Sequence, residues 1–223
     1  MFANRCVIVF VRAPILGKVK TRLAKVLDPR TVLDLYRCFV ADVLAILASS
    51  GFQIVICFHP RDADQDIVDW LGDQYPYFPQ QGLDLGDRMA KAFEYVFKHG
   101  CRQALLLGTD FPDLPRNVIH QAFDGLDHYG AAIGPANDGG YYLIGFERRN
   151  FQPTVFDKMP WGTDQVYAET VKRFSGLENL PLVLPRWRDI DEYEDLLAFA
   201  ANKPADKTTA RHTRAMLRSL SIK

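Results

Sequence analysis

Apolar residues recur along this chain with two alternating periods. Residues 5–11 (Arg-Cys-Val-Ile-Val-Phe-Val) form a β-branched apolar run, the signature of a strand buried on both faces. Helical spacing follows in Val32, Leu35, Tyr36, Phe39, Val40, Val43, Leu44 and Leu47. It predicts a helix over 31–48, with Asp28-Pro29 as N-cap and first turn and Gly51 as its stop. A second strand is expected at 53–58, a short helix at 63–71 ending near Gly72, and a longer helix at 85–97 before Gly100. Residues 103–107 read as a third strand, 117–126 as a helix, and 131–134 and 182–184 as further strands.

Such alternation implies right-handed βαβ crossovers and a mostly parallel sheet covered on both faces, an α/β fold. Ligands of these sheets sit beyond the carboxyl ends of the strands, which directs attention to the loops after Val11, Phe58 and Leu107. No repeat, low-complexity segment or linker interrupts Arg5 to Ala201, so one domain is expected over 1–201. Residues 202–223 carry Lys203, Lys207, Arg211, Arg214, Arg218 and Lys223 against Asp206, a basic C-terminal tail or a surface helix.

Composition narrows the class. The 223 residues hold 27 Lys+Arg against 27 Asp+Glu with 48% hydrophobic residues, which excludes bulk disorder. Zero net charge argues against a protein built to hold nucleic acid. The longest apolar run, residues 6–11, is far short of the roughly 20 residues of a membrane span, and a cytoplasmic protein is expected. Cys6, Cys38, Cys57 and Cys101 have no metal-binding spacing and read as reduced core thiols.

Candidate chemistry gathers in the loops. Arg12, Lys18, Lys20 and Arg22 follow the first strand in a stretch punctuated by Pro14 and Gly17; neither a P-loop nor a dinucleotide glycine pattern is present. Arg offers forked donors and Lys a point charge for phosphate oxygens, so a phosphate site outweighs a merely solvated loop. Asp110, directly after the third strand, suits a hard divalent cation, whereas Asp113 reads as an N-cap for the helix near Pro115. Asn137-Asp138-Gly139-Gly140 is hairpin turn chemistry, with ligand contact by Asp138, Gly139 and Tyr141 equally open. In Trp161-Gly162-Thr163-Asp164, Thr163 or Asp164 reads as a helix cap and Trp161 as core, unless they border a ligand. Residues 189–196 (Asp-Ile-Asp-Glu-Tyr-Glu-Asp-Leu) are either an acid-rich helix start or the source of a second metal carboxylate.

As a set, Arg12–Leu23 (R-x-P-x-x-G-x-x-K-T-R-L), Gly86-Asp87-Arg88-Met89, Gly108-Thr109-Asp110-Phe111-Pro112, the stretch 134–145, Trp161–Asp164 and Asp189–Leu196 resemble the GT-A-like nucleotide-diphospho-sugar transferase superfamily. The nearest likeness is to the DUF2064 group of bacterial glycosyltransferase-like proteins. The resemblance implies a three-layer α/β/α sandwich around a mostly parallel mixed sheet. It places nucleotide phosphates at Arg12, Gly17, Lys20 and Arg22, with Arg88 added to that group, and a Mg²⁺ or Mn²⁺ at Asp110 and Asp191. The acceptor or sugar would border Asp138, Gly139, Tyr141, Trp161 and Asp164. The family's D-x-D-T-x-x-D-L has Glu192 in place of Thr here.

The implied activity is metal-dependent transfer from a nucleotide sugar to a small-molecule acceptor. Lys20 and Arg22 would stabilise the leaving diphosphate, and Asp138 would act as general base. The alternative is a nucleotidyltransferase that joins an NTP to a phosphorylated small molecule and releases pyrophosphate.

Overall fold

A computed structural model of the chain describes residues 1–175, 180–202 and 208–222. Lys203, Asp206, Lys207 and Lys223 of the expected basic tail lie outside the described residues. The order of elements is β1 (Arg5–Arg12), α1 (Pro29–Ala48), β2 (Gln53–His59), α2 (Asp64–Leu71), β3 (Tyr77–Pro79), α3 (Leu85–Lys98), β4 (Gln103–Leu107) and α4 (Arg116–Tyr129). There follow β5 (Ala131–Pro135), β6 (Tyr141–Glu147), α5 (Val166–Phe174), β7 (Leu182–Val183), α6 (Tyr193–Ala201) and α7 (Arg211–Ser219).

The strands form one seven-stranded sheet in the order β3-β2-β1-β4-β6-β5-β7. Pairings β1–β2, β1–β4, β2–β3 and β5–β7 are parallel, while β6 runs antiparallel to both β4 and β5. The hairpin expected around Asn137–Gly140 therefore joins β5 to β6 and inserts β6 between β4 and β5.

Strand alternation builds the three layers. Val7, Val9 and Val11 face a core shared with α1, α2 and α4 through Val40, Ile67 and Phe123. Cys6 and Ile8 face the opposite core, where α3 and α5 contribute Phe93 and Phe174. Cys6, Cys57 and Cys101 are buried and all four cysteines are free.

Asp28 caps α1 by accepting from the Arg30 and Thr31 amides at 3.0 Å, as its position before Pro29 predicts. The second side of α1 forms a smaller core with α6 and α7, in which Val32, Leu35 and Phe39 meet Ile190, Leu196, Phe199 and Leu217. Helix α7 has no cap of its own. Asp42, buried on α1, accepts from the His212 amide at 2.9 Å and from the Thr213 amide and hydroxyl at 2.8 and 2.7 Å. The described part of the C-terminal segment is thus pinned to the domain by a tertiary cap. No helix among the described residues is long and apolar enough to cross a membrane.

Candidate active site

A cleft of about 700 Å³ opens along the carboxyl edge of the sheet, within the size range of small-molecule sites. Its walls come from the ends of β1 and β4, the start of α3, the β5–β6 turn, the stretch 161–164 and the stretch 189–191.

Lys20 lines the cleft from the loop after β1. The backbone there is left-handed (φ 46°), uncommon for a residue with a side chain. The ammonium lies 2.6 Å from Asp110 Oδ1 and 2.6 Å from Asp191 Oδ1, and donates to the Ile190 carbonyl at 2.7 Å. It also stands over the Phe39 ring at 5.9 Å. Its side chain is 6% exposed. Burial alone would lower the lysine pKa; Asp110 and Asp191 outweigh it and hold the group above its ordinary value. Arg22, exposed, stands 3.6 Å from Asp191 Oδ2. The basic loop and the two aspartates therefore meet in one cleft.

Lys18 from the loop, Arg12 from the end of β1 and Arg88 from α3 add further cations to the lining. Arg12 closes β1 beside its register partner His59 at the end of β2. The Tyr36 hydroxyl accepts from the Arg12 amide at 2.8 Å and donates to its carbonyl at 3.0 Å, fixing that strand end. Arg88, in the first turn of α3, lines the same wall. Helix α3 approaches closely because residue 86 is Gly: a Cβ there would meet Phe156 O at 2.7 Å and Trp161 Cζ2 at 2.8 Å.

The acidic end is built on the β5–β6 turn. Asp138 is exposed, and its Oδ1 accepts from the Gly140 amide at 2.8 Å. The turn reading and the cleft reading of this segment hold together, because the carboxylate that closes the turn also lines the cleft. Tyr141 and Trp161 make an edge-to-face pair at 6.5 Å, and Asp164 completes that wall.

Two predicted glycines serve differently. Gly17 (φ 72°) lies on the exposed loop surface, outside the cleft lining, and Gly139 (φ 87°), within the turn, is outside that lining too. A Cβ at residue 139 would fall 2.2 Å from the Asp164 carbonyl oxygen, so Gly139 brings the turn against the 161–164 segment instead of facing the cleft.

Local cap expectations need correction. Asp113 does not cap α4; its Oδ1 accepts from Trp187 Nε1 at 2.9 Å, and burial raises its pKa. Neither Thr163 nor Asp164 is the N-cap of α5, which is Gln165 without a side-chain cap. The acid-rich stretch divides its work. Glu192 and Asp195 form a capping box on α6, while Asp191 enters the cleft.

Asp189 went unselected in the sequence and is the acid with the most perturbed carboxyl in the cleft. Burial first, and the neighbouring Asp138 second, push its pKa from 3.8 to about 6. The signal was present: in an extended Asp-Ile-Asp, alternate residues share a face, so core-facing Ile190 turns both aspartates toward the cleft.

Asp110 and Asp191 fit a divalent cation of the Mg²⁺ type. Such an ion takes one or two protein carboxylates and completes its shell with water and phosphate oxygens. Each aspartate offers Lys20 only its Oδ1. Among the described residues no three His, Cys, Asp or Glu side chains form a closed metal cage.

The family described as "Uncharacterized protein conserved in bacteria (DUF2064)" matches residues 42–163. A crystal structure from Desulfovibrio desulfuricans G20, described as a "putative nucleotide-diphospho-sugar transferase", is 42% identical over 98% of this chain and 96% of that one, with a TM-score of 0.93. The inositol-1-phosphate CTP transferase from T. maritima shares the fold at 12% identity and a TM-score of 0.55, covering 97% of this chain and 98% of its own. The 4-diphosphocytidyl-2C-methyl-D-erythritol synthase of Anaerococcus prevotii DSM 20548 does so at 10% identity and 0.58, covering 96% of each chain. No curated protein matches.

Proposed function

The chain belongs to the DUF2064 family of bacterial proteins, and on that premise we propose that it is a nucleotide-dependent transferase acting on a nucleotide-diphospho-sugar. One observation carries this reading. The Lys20 ammonium is buried between Asp110 and Asp191 at the β1–β4 edge, with Arg22 beside it, in a cleft large enough for a nucleotide. The three donors of that ammonium rest on Asp110, Asp191 and the Ile190 carbonyl. It would meet a leaving diphosphate as those carboxylates turn to a bound cation, and would then stabilise the charge developing there. Arg22, exposed and in a long 3.6 Å pair with Asp191, can reach the same oxygens.

Asp110 and Asp191 would hold a Mg²⁺ or Mn²⁺, which when bound neutralises diphosphate oxygens. Tyr141 and Trp161 offer an aromatic wall to the sugar or acceptor, with Asp164 as a polar contact. Asp138, exposed at the turn, is the group proposed to take the acceptor hydroxyl's proton. Asp189 beneath it holds a proton up to about pH 6 and sets the local charge.

The second reading is nucleotidyl transfer, in which a substrate phosphate attacks the α-phosphorus of an NTP and pyrophosphate leaves, with no protein base. Arg12 and Arg88 favour it, since they supply cationic donors beyond those at Lys20 and Arg22. The relatives named for CTP transfer share only the fold with this chain.

Incubation with nucleotide sugars, or with NTPs and phosphorylated acceptors, plus Mg²⁺ or Mn²⁺ separates the two readings. Free nucleoside diphosphate marks the first and pyrophosphate the second; neither product with any acceptor overturns both. Asp110→Ala is expected to remain folded and to lose metal-dependent nucleotide binding; unchanged binding removes Asp110 from the site.

A further inference from the structure

The second side of α1 carries an apolar stripe that ends on an acid. Val32, Leu35 and Phe39 recur at helical spacing, and the next position on that stripe, three residues on, is Asp42. Asp42 is 2% exposed, a placement that is costly for a carboxylate unless it is hydrogen-bonded. The start of α7 supplies the bonds: Oδ1 accepts from the His212 amide, and Oδ2 from the Thr213 amide and hydroxyl. No side chain of α7 could cap it instead, since its N-cap is Ala210, held in a left-handed conformation (φ 54°).

The core that α7 closes reaches the Lys20 bridge at several points. Phe39, one turn before Asp42, lies under the Lys20 ammonium. Leu23, fully buried in the same core, fixes the chain three residues after Lys20. Ile190 is the closest link. Its side chain is buried in this core, its carbonyl accepts from Lys20 Nζ at 2.7 Å, and its amide donates to the Asp110 carbonyl at 3.0 Å. The next residue is Asp191. Leu217 of α7 and Ala210 complete the core around it. Arg214 of α7 also clasps the helix that follows Asp191: its guanidinium lies 4.4 Å from the centre of the Phe199 ring and donates to the Asn202 carbonyl at 2.9 Å. Close-packed side chains pass a displacement on to their neighbours, so a shift of α7 is felt at Ile190.

We infer that Asp42 is a positioning residue for this site: by docking α7 it holds Ile190 and Phe39, and through them the Lys20 ammonium between Asp110 and Asp191. The inference stands on these contacts alone. Only its consequence for a bound nucleotide rests on the transferase reading.

The test uses the full ¹⁵N-labelled chain, read by the proton–nitrogen correlation of lysine ammonium groups. A buried ammonium with three acceptors exchanges slowly with water and gives such a signal, assigned by its absence from Lys20→Met. Asp42→Ala is expected to lose the signal while a dispersed backbone amide spectrum shows that the domain is folded. Asp42→Asn, which keeps one accepting oxygen, is expected to retain a weakened signal. Phe97→Ala is the control: it opens a cavity in the core on the other face of the sheet, lowers the melting temperature, and is expected to keep the signal. A wild-type signal in Asp42→Ala overturns the inference. So does its loss in Phe97→Ala, or a wild-type chain without a slow ammonium. Should Asp42→Ala not fold, Asp42→Asn and Leu217→Ala decide the matter by the same readout against the same control. Titration of ribonucleoside diphosphates with Mg²⁺ then measures the consequence: affinity is expected to fall about tenfold in Asp42→Ala and to be unchanged in Phe97→Ala. Wild-type affinity in Asp42→Ala overturns the positioning role. If the wild-type chain binds no nucleotide, the transferase reading fails while the ammonium result still stands or falls by itself.

Discussion

Two loops line the same cleft and are held in opposite ways. The loop after β1 is fixed from far along the chain: Lys20 reaches Asp191 across 171 positions and Asp110 at the end of β4. Its anchor is itself buttressed, since Ile190 sits in the small core closed by α7, whose first turn Asp42 caps. The β5–β6 turn is closed locally by Asp138 and the Gly140 amide, and tied to α5 by a bond from the Tyr167 amide to the Gly139 carbonyl at 2.8 Å. In the first loop the charge is buried and paired, so stability and ligand binding are coupled. In the second the carboxylate is exposed, so it can change chemistry at little cost in stability.

Lys20→Met should break this contrast most severely. Removing one partner of a fully buried ion pair costs about 3–5 kcal/mol; with Asp110 and Asp191 each about a third exposed, a loss of about 2–3 kcal/mol is expected. Calorimetry should show a melting temperature lower by several degrees, together with lost nucleotide affinity. Unchanged values of both would erase the distinction between the loops.

Gly139→Ala tests the tether on the other side. A left-handed φ and a Cβ 2.2 Å from the Asp164 carbonyl oxygen predict about 2 kcal/mol of destabilisation by denaturant titration. An effect near zero would mean the turn slides freely past the 161–164 segment.

Asp189→Asn gives the pH signature. The folded chain holds a proton at Asp189 up to about pH 6, whereas the unfolded carboxyl releases it near 3.8. Between those values the folded state binds more protons, so stability falls as pH rises. The variant should lack that fall and gain on the order of 1–2 kcal/mol at pH 7 in metal-free buffer. Parallel stability–pH curves for variant and wild type would refute the assignment.

Asp138→Asn should be the mildest structurally, within about 0.5 kcal/mol of wild type, because the amide oxygen still accepts from Gly140. Its turnover should nonetheless collapse if the exposed carboxylate is the base. Full glycosyl transfer by this variant would leave Asp138 a turn residue only.

Much of the scaffold was legible from spacing. The strands at β1, β2 and β4, the helices around them and the Asp28 cap follow from periodicity and turn chemistry. Strand β3 was not legible, because three residues ending in proline carry no period. In the cleft, Arg12, Lys20 and Asp110 stand where the position of their loops directed attention, and Asp191 lines it at the position that the resemblance named. Asp113 was misjudged because its partner, Trp187, is not revealed by local spacing; Asp189 was legible in the alternation of residues 189–191, but its burial was not.

The sequence by itself determined which segments are strands and helices, which faces they bury, and that charged loops emerge at the carboxyl edge of the sheet. These follow from interactions spanning a few residues, so they are written in local order. Only the tertiary structure decided that Lys20 is saturated by two aspartates while Arg12 and Arg88 are left without carboxylate partners among the described residues, and that a buried aspartate on α1 caps the C-terminal helix. The strength of a charge depends on its burial and its nearest counter-charge, and both are set by contacts between segments far apart in the chain.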